Sequence, residues 1–173
     1  MWEVVARFVF VLVLVLVGIV TVFFVGMRTG SRFVRDVVRR FNRALGNPYQ
    51  MKTAGTPGAY ASVIRHVGRT TGRSYATPVV PFSTEYGFVI ALPYGPGTDW
   101  VKNVMASGSA TIVCEGNSYP IDRPELVPVT MAAPFMPAKE QRSLRRFHID
   151  RCLLVRRAVP QKDVASSEEV SIS

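Results

Sequence analysis

From Phe8 to Met27 the chain reads FVFVLVLVLVGIVTVFFVGM, with no charge and Thr21 as its sole polar side chain. A helix rising about 1.5 Å per residue crosses the roughly 30 Å hydrocarbon core of a bilayer in that length. The run is longer than the apolar core of a cleaved signal peptide, and no small-x-small cleavage site follows it. A transmembrane anchor over residues 1–28, spanning at 8–27, is therefore expected. Only Glu3 and Arg7 precede the span, whereas Arg28, Arg32, Arg35, Arg39, Arg40 and Arg43 follow it. The positive-inside rule then predicts a single-pass protein of the cell membrane, with everything after Met27 on the cytoplasmic side.

At 173 residues the chain has room for one modest domain beyond that anchor. The net charge of +9 is uneven: residues 1–50 hold seven arginines against Glu3 and Asp36, giving +5, and the remaining 14 basic and 10 acidic residues give +4. More than half of the imbalance lies beside the span, which points to anionic lipid headgroups rather than nucleic acid as the basic partner. No helix-turn-helix pattern, zinc knuckle or interleaving of aromatic with basic residues supports a nucleic-acid reader. Cys114 and Cys152 sit in apolar strand-like runs, TIVCEG and RCLLVRR, and read as buried thiols. With His66 and His148 the only histidines, no protein-built zinc site is expected.

Residues 29–48 form a basic amphipathic unit. Phe33, Val34, Val37, Val38, Phe41 and Leu45 share one helical face over Ser31–Leu45, and arginines occupy the rest. Ser31 is placed to cap it and Gly46-Asn47-Pro48 to end it. Its apolar face is expected on the domain, with burial in the headgroup layer as the alternative. Residues 49–160 are mostly β in pattern, with strands expected over Tyr60–Val67, Ser74–Ser83, Phe88–Tyr94, Thr111–Glu115, Tyr119–Val127 and Arg151–Val159. Pro78 and Pro81 place the second of these at an edge or a bulge. Helices are expected from Asp99 to a stop at Gly108 and over Ala138–His148, with loop from Pro128 to Pro137. The tail 161–173 lacks an apolar pattern and is expected to be disordered. The sum is an α+β domain built on an antiparallel barrel, preceded by one transmembrane helix.

Two turns carry the chemistry. Gly68-Arg69-Thr70-Thr71-Gly72-Arg73 joins two strands, and Gly95-Pro96-Gly97-Thr98 opens the helix Asp99-Trp100-Val101-Lys102-Asn103. Glycines that admit close backbone approach, a helix start with unpaired N–H groups and nearby cations are the parts of an anion site. From the residues alone, two ordinary turns with solvated charges is the simpler reading. GRTTGRSYATP followed about twenty residues later by DWVKN resembles the deazaflavin-dependent nitroreductase family over roughly residues 49–158. The resemblance implies a split β-barrel of the flavin and deazaflavin reductase type that binds coenzyme F-420, in preference to FMN. It implies that Arg69, Thr70 and Thr71 approach the phosphate and tail. Ala76, Thr77, Pro78 and Val79 would lie along the deazaflavin, beside the strand end Ala91, Leu92, Pro93 and Tyr94, and the helix opening Asp99, Trp100, Val101, Lys102 and Asn103. Tyr94 is also a candidate substrate contact. Trp100 reads equally as an anchor of the helix, and Lys102 as a solvated charge. The chain departs from the family at Thr70, Tyr75 and Tyr94, where basic residues often stand, so contacts to phosphate and tail are fewer.

Other catalysis is poorly supported. No GxSxG elbow is present and no carboxylate pair has a spacing suited to acid–base work. His66 reads as the end of a strand and His148 as the end of a helix, where a cation suits the dipole. The expected protein is thus a membrane-anchored oxidoreductase passing hydride from reduced deazaflavin coenzyme to an apolar acceptor: a quinone, nitro or enone compound. The alternative is a non-catalytic lipid or fatty-acid binder on the same barrel. A homodimer is expected in either case.

Overall fold

A computed structural model describes residues 2–29, 31–41 and 46–158. The apolar run forms one helix, α1 (Trp2–Arg28), whose side chains up to Val25 are all exposed. Ser31 returns to it through its N–H, which donates to the Gly26 carbonyl at 2.9 Å. Its hydroxyl accepts from the Val34 N–H at 3.5 Å, the N-cap expected for α2 (Arg32–Phe41). Gly26 is buried where a Cβ would collide with Val34, so the absence of a side chain lets α2 fold back on the end of α1. The apolar face of α2 does not close over the barrel as expected: Phe33 is 77% and Val37 49% exposed. A single turn, α3 (Asn47–Gln50), leads into the domain. Positions 42–45 of the expected helix, Val159 of the last expected strand and the tail 161–173 lie outside the described residues.

The strands are β1 (Ser62–Val67), β2 (Ser74–Val79), β3 (Pro81–Ser83), β4 (Gly87–Ala91), β5 (Ser109–Cys114), β6 (Asn117–Pro128) and β7 (Arg151–Arg157). All their pairings are antiparallel, in the order β2-β1-β5-β6-β7-β4-β3. Pro78 and Pro81 fall on the two outermost strands, where a missing N–H is tolerated. β6 pairs with β5 along its first half and with β7 along its second, with a register shift between Asp122 and Glu125 and Arg123 at φ 49°. That bulge bends the longest strand and lets the sheet curl.

Curling is visible in the core. Ile64, Val79, Phe88, Ile90, Ile112, Ile121, Leu153 and Val155 come from both ends of the sheet yet share one cluster. Val101 and Val104 of α4 (Asp99–Ser107) plug it. The domain is therefore a split antiparallel barrel with its interior filled by its own side chains. Gly87 sits where β4 meets β7 so closely that a Cβ would strike the Val155 carbonyl. On the opposite face, Val89, Val127 and Cys152 pack against Ala132, Met136 and Leu144. The stretch expected as loop from Pro128 to Pro137 instead forms α5 (Val129–Ala132) and a 3-10 turn (Ala133–Phe135). Proline suits a first helical turn, and burial of Ala132 and Met136 beneath α6 (Ala138–Arg146) fixes the rest.

Candidate functional site

The turn between β1 and β2 is closed by Gly68 N–H donating to the Arg73 carbonyl and Gly72 N–H to the Gly68 carbonyl, each at 2.8 Å. Gly72 takes φ 64°, a conformation that a Cβ would strain. At Gly68 a Cβ would meet Thr71 Oγ1 and the Tyr75 ring. The Thr71 and Tyr75 hydroxyls lie 3.1 Å apart and tie the turn to β2.

Across from it, α4 begins at Asp99 and ends at Gly108, whose φ of 72° is the left-handed C-cap the sequence predicts. The two elements are joined by one buried amide. Asn103 Oδ1 accepts from the Arg69 backbone N–H at 3.2 Å and from the Arg69 guanidinium at 2.8 Å. Two donors on that oxygen fix the amide's orientation, so Asn103 Nδ2 donates to His66 Nδ1 at 3.2 Å. His66 must then carry its proton on Nε2, which donates to Thr77 Oγ1 at 3.3 Å. The Arg69 guanidinium continues the chain to Asp99, reaching its carboxylate at 3.4 Å and its carbonyl at 3.5 Å.

His66 is 6% exposed, and burial pushes its imidazole below the ordinary 6.5. Protonating Nδ1 would also oppose the Asn103 donor. With the folded value below the unfolded one, neutral His66 contributes stability that is full above about pH 6.5 and is lost as pH falls through the folded value. A melting series should therefore decline below about pH 6.5, and His66→Gln should flatten that decline. An NMR titration placing the His66 midpoint at or above 6.5 would contradict it.

Between these elements lies a groove of about 520 Å³. Ten of the sixteen residues expected at a cofactor line it: Arg69, Thr70, Thr71, Ala76, Thr77, Pro78, Tyr94, Asp99, Trp100 and Asn103. The other six lie elsewhere: Val79, Leu92 and Val101 are core residues, Ala91 packs toward the cluster under α6, and Pro93 and Lys102 are exposed. Gly68 and Thr98 of the two turns line it as well, with Tyr75, and so do Asn47, Gln50 and His66, which no motif assigns to it. His66 does lie at a strand end, as its position predicts, but its ring also stacks on Tyr75 at 5.9 Å and 21°. The signal that could have found it is strand alternation, which turns positions 64 and 66 to the same side. A second concavity, of about 610 Å³, runs over β1, β2 and β5 and shares His66, Tyr75 and Ala76 as its wall.

The groove's chemistry is mixed. Tyr75, Tyr94 and Trp100 offer ring faces, and Thr71, Thr77 and Asn103 offer polar edges. Its one cationic side chain, Arg69, is already paired with Asp99. Thr98, the N-cap of α4, is 6% exposed, and its hydroxyl has no hydrogen-bond partner, not even a first-turn N–H. Among the described residues no cluster of His, Cys, Asp and Glu could hold a metal ion. These ring faces and polar edges suit a planar aromatic ligand with polar edges, and for an anionic group the groove offers Arg69, whose charge Asp99 offsets, and the N–H groups at the start of α4.

No family model and no curated protein matches the sequence. Among solved structures the fold is similar to one named F420 Reductase, at 10% identity and a TM-score of 0.41, covering 62% of this chain and 92% of that one. It is also similar to one named domain-swapped dimer, at 14% identity and a TM-score of 0.41, covering 69% and 97%.

Proposed function

We propose that this chain is a membrane-anchored oxidoreductase that binds a deazaflavin coenzyme in the groove between the Gly68–Arg73 turn, β2 and α4, and serves an apolar acceptor. The observation that carries the reading is the convergence of GRTTGRSYATP and DWVKN on one groove, from segments about twenty residues apart. When bound, the coenzyme supplies hydride. The protein's own part is to bind and orient. Pro78, Tyr75, Tyr94 and Trp100 would border the ring system, and Arg69 with the first turn of α4 would hold the anionic end. Asn103 sets the spacing of turn and helix and the tautomer of His66, which burial keeps neutral, so Thr77 is presented with a fixed hydrogen-bond donor beside it. The filled barrel interior weighs against the lipid-binding alternative, which needs a large apolar cavity there.

The membrane half of the reading rests on α1, which contains an 18-residue window of mean hydropathy 3.3 with none of its residues buried. The exposed Phe33, Val37 and Arg40 of α2 suit the headgroup layer.

Fluorescence titration with the oxidised coenzyme tests the site. Absence of binding up to about 100 μM, weaker than roughly −5.5 kcal/mol, would end the coenzyme reading. The Arg69–Asp99 pair makes a sharper forecast. Arg69→Ala should weaken binding about tenfold or more, whereas Asp99→Asn should tighten it several-fold, because it frees the guanidinium and removes a like charge from an anionic ligand. Equal effects of the same sign would show that the pair does not face the ligand.

A further inference from the structure

We propose that the outer face of α6 is a second membrane contact, a basic stripe that docks the barrel domain on anionic lipid headgroups beside the emerging α1. The inference rests on α1 crossing a bilayer. A helix advances about 100° per residue, so Lys139, Arg142, Arg145 and Arg146 gather on one side of α6, opposite the buried Leu144. All four basic residues are exposed. The helix's one acidic residue, Glu140, is half-buried on another side, near Tyr60, whose phenol is pushed up by burial and, second, by the Glu140 charge.

Two contacts set this stripe at a definite depth. The Phe147 ring stacks on Phe24 of α1, with centroids 6.0 Å apart and planes at 30°. The Arg146 guanidinium lies 5.6 Å from the centre of the same Phe24 ring. Phe24 is two residues from the end of the apolar stretch at Gly26 and four before Arg28. One arginine of the stripe therefore lies where a spanning helix would leave the hydrocarbon. Just ahead of α6, Met131 is 61% and Phe135 46% exposed. Cations and exposed apolar side chains on neighbouring segments of chain are the composition that binds a charged bilayer surface, with the cations on headgroups and the apolar groups below them.

The test uses the full chain in nanodiscs of phosphatidylcholine alone or mixed with phosphatidylserine. An environment-sensitive fluorophore is placed at Phe135→Cys, or separately at Met131→Cys, in a Cys114→Ser background. Cys152 is buried, with its thiol pushed up to about 11, and stays unlabelled. Headgroup nitroxide lipid should quench either reporter about twofold more in the anionic discs, through the attraction of the stripe to the surface. Adding Arg142→Glu and Arg145→Glu should return quenching to the neutral-disc level. Equal quenching in the two lipids, or quenching that survives charge reversal, overturns the proposal. A reporter at Phe10→Cys, read with acyl-chain nitroxide, keeps the two readings apart. If it is quenched in both discs while positions 131 and 135 are not, docking alone fails. If it is not quenched, the span and the docking fail together.

Discussion

Asn103→Ala should lower the stability of the domain by about 3 kcal/mol, because it strips a buried histidine of its donor and an arginine of two bonds at once. For a domain of this size that is a fall in melting temperature on the order of 10–15 °C, measurable on the detergent-solubilised chain. Asn103→Asp supplies the diagnostic contrast. It keeps the acceptor for Arg69 but sets a carboxylate against His66 Nδ1. The imidazole should then be held above its ordinary value, so the associated stability would be present at low pH and lost as pH rises through the folded value, the reverse of the native chain. A stability profile that keeps the native sign in Asn103→Asp would show that the amide does not set the His66 tautomer.

Trp100→Ala should have an effect of similar size by another route. Trp100 packs against the barrel core from the first turn of α4 and also lines the groove. Its loss should cost about 3 kcal/mol through the cavity left behind, and it should weaken coenzyme binding in the same titration. Lys102→Ala, two residues on, should change stability by about 0.5 kcal/mol or less and leave affinity unchanged, since its side chain is exposed and outside the groove. Calorimetry and titration of the pair side by side decide the matter. A Lys102 variant that binds coenzyme more weakly would return that cation to the site.

Much of the domain was legible because its signals are local. Gly72 and Gly108 adopt the left-handed conformations their positions demand, and Pro78 and Pro81 mark the edges of the sheet. Each is a property of one residue and its neighbours. The stretch after Pro128 was misread for the complementary reason. Its prolines suggested loop, but burial of Ala132 and Met136 under a helix that comes later in the chain overrides local preference.

The site divides along the same line. By itself the sequence determined that two glycine-bearing turns and a short helix would be available, and that an apolar segment long enough to cross a bilayer would stand ahead of them. It could not say which of sixteen candidate side chains would face one space, because that depends on how the sheet curls and on how α4 is rotated as it plugs the barrel. Rotation sends Val101 inward and Lys102 outward, while Asn103 comes to bridge Arg69 and His66 across 34 and 37 residues of chain. Hydrogen bonds between residues that distant leave no periodicity or spacing to read. They exist only once packing of the barrel has brought the strands and the helix together.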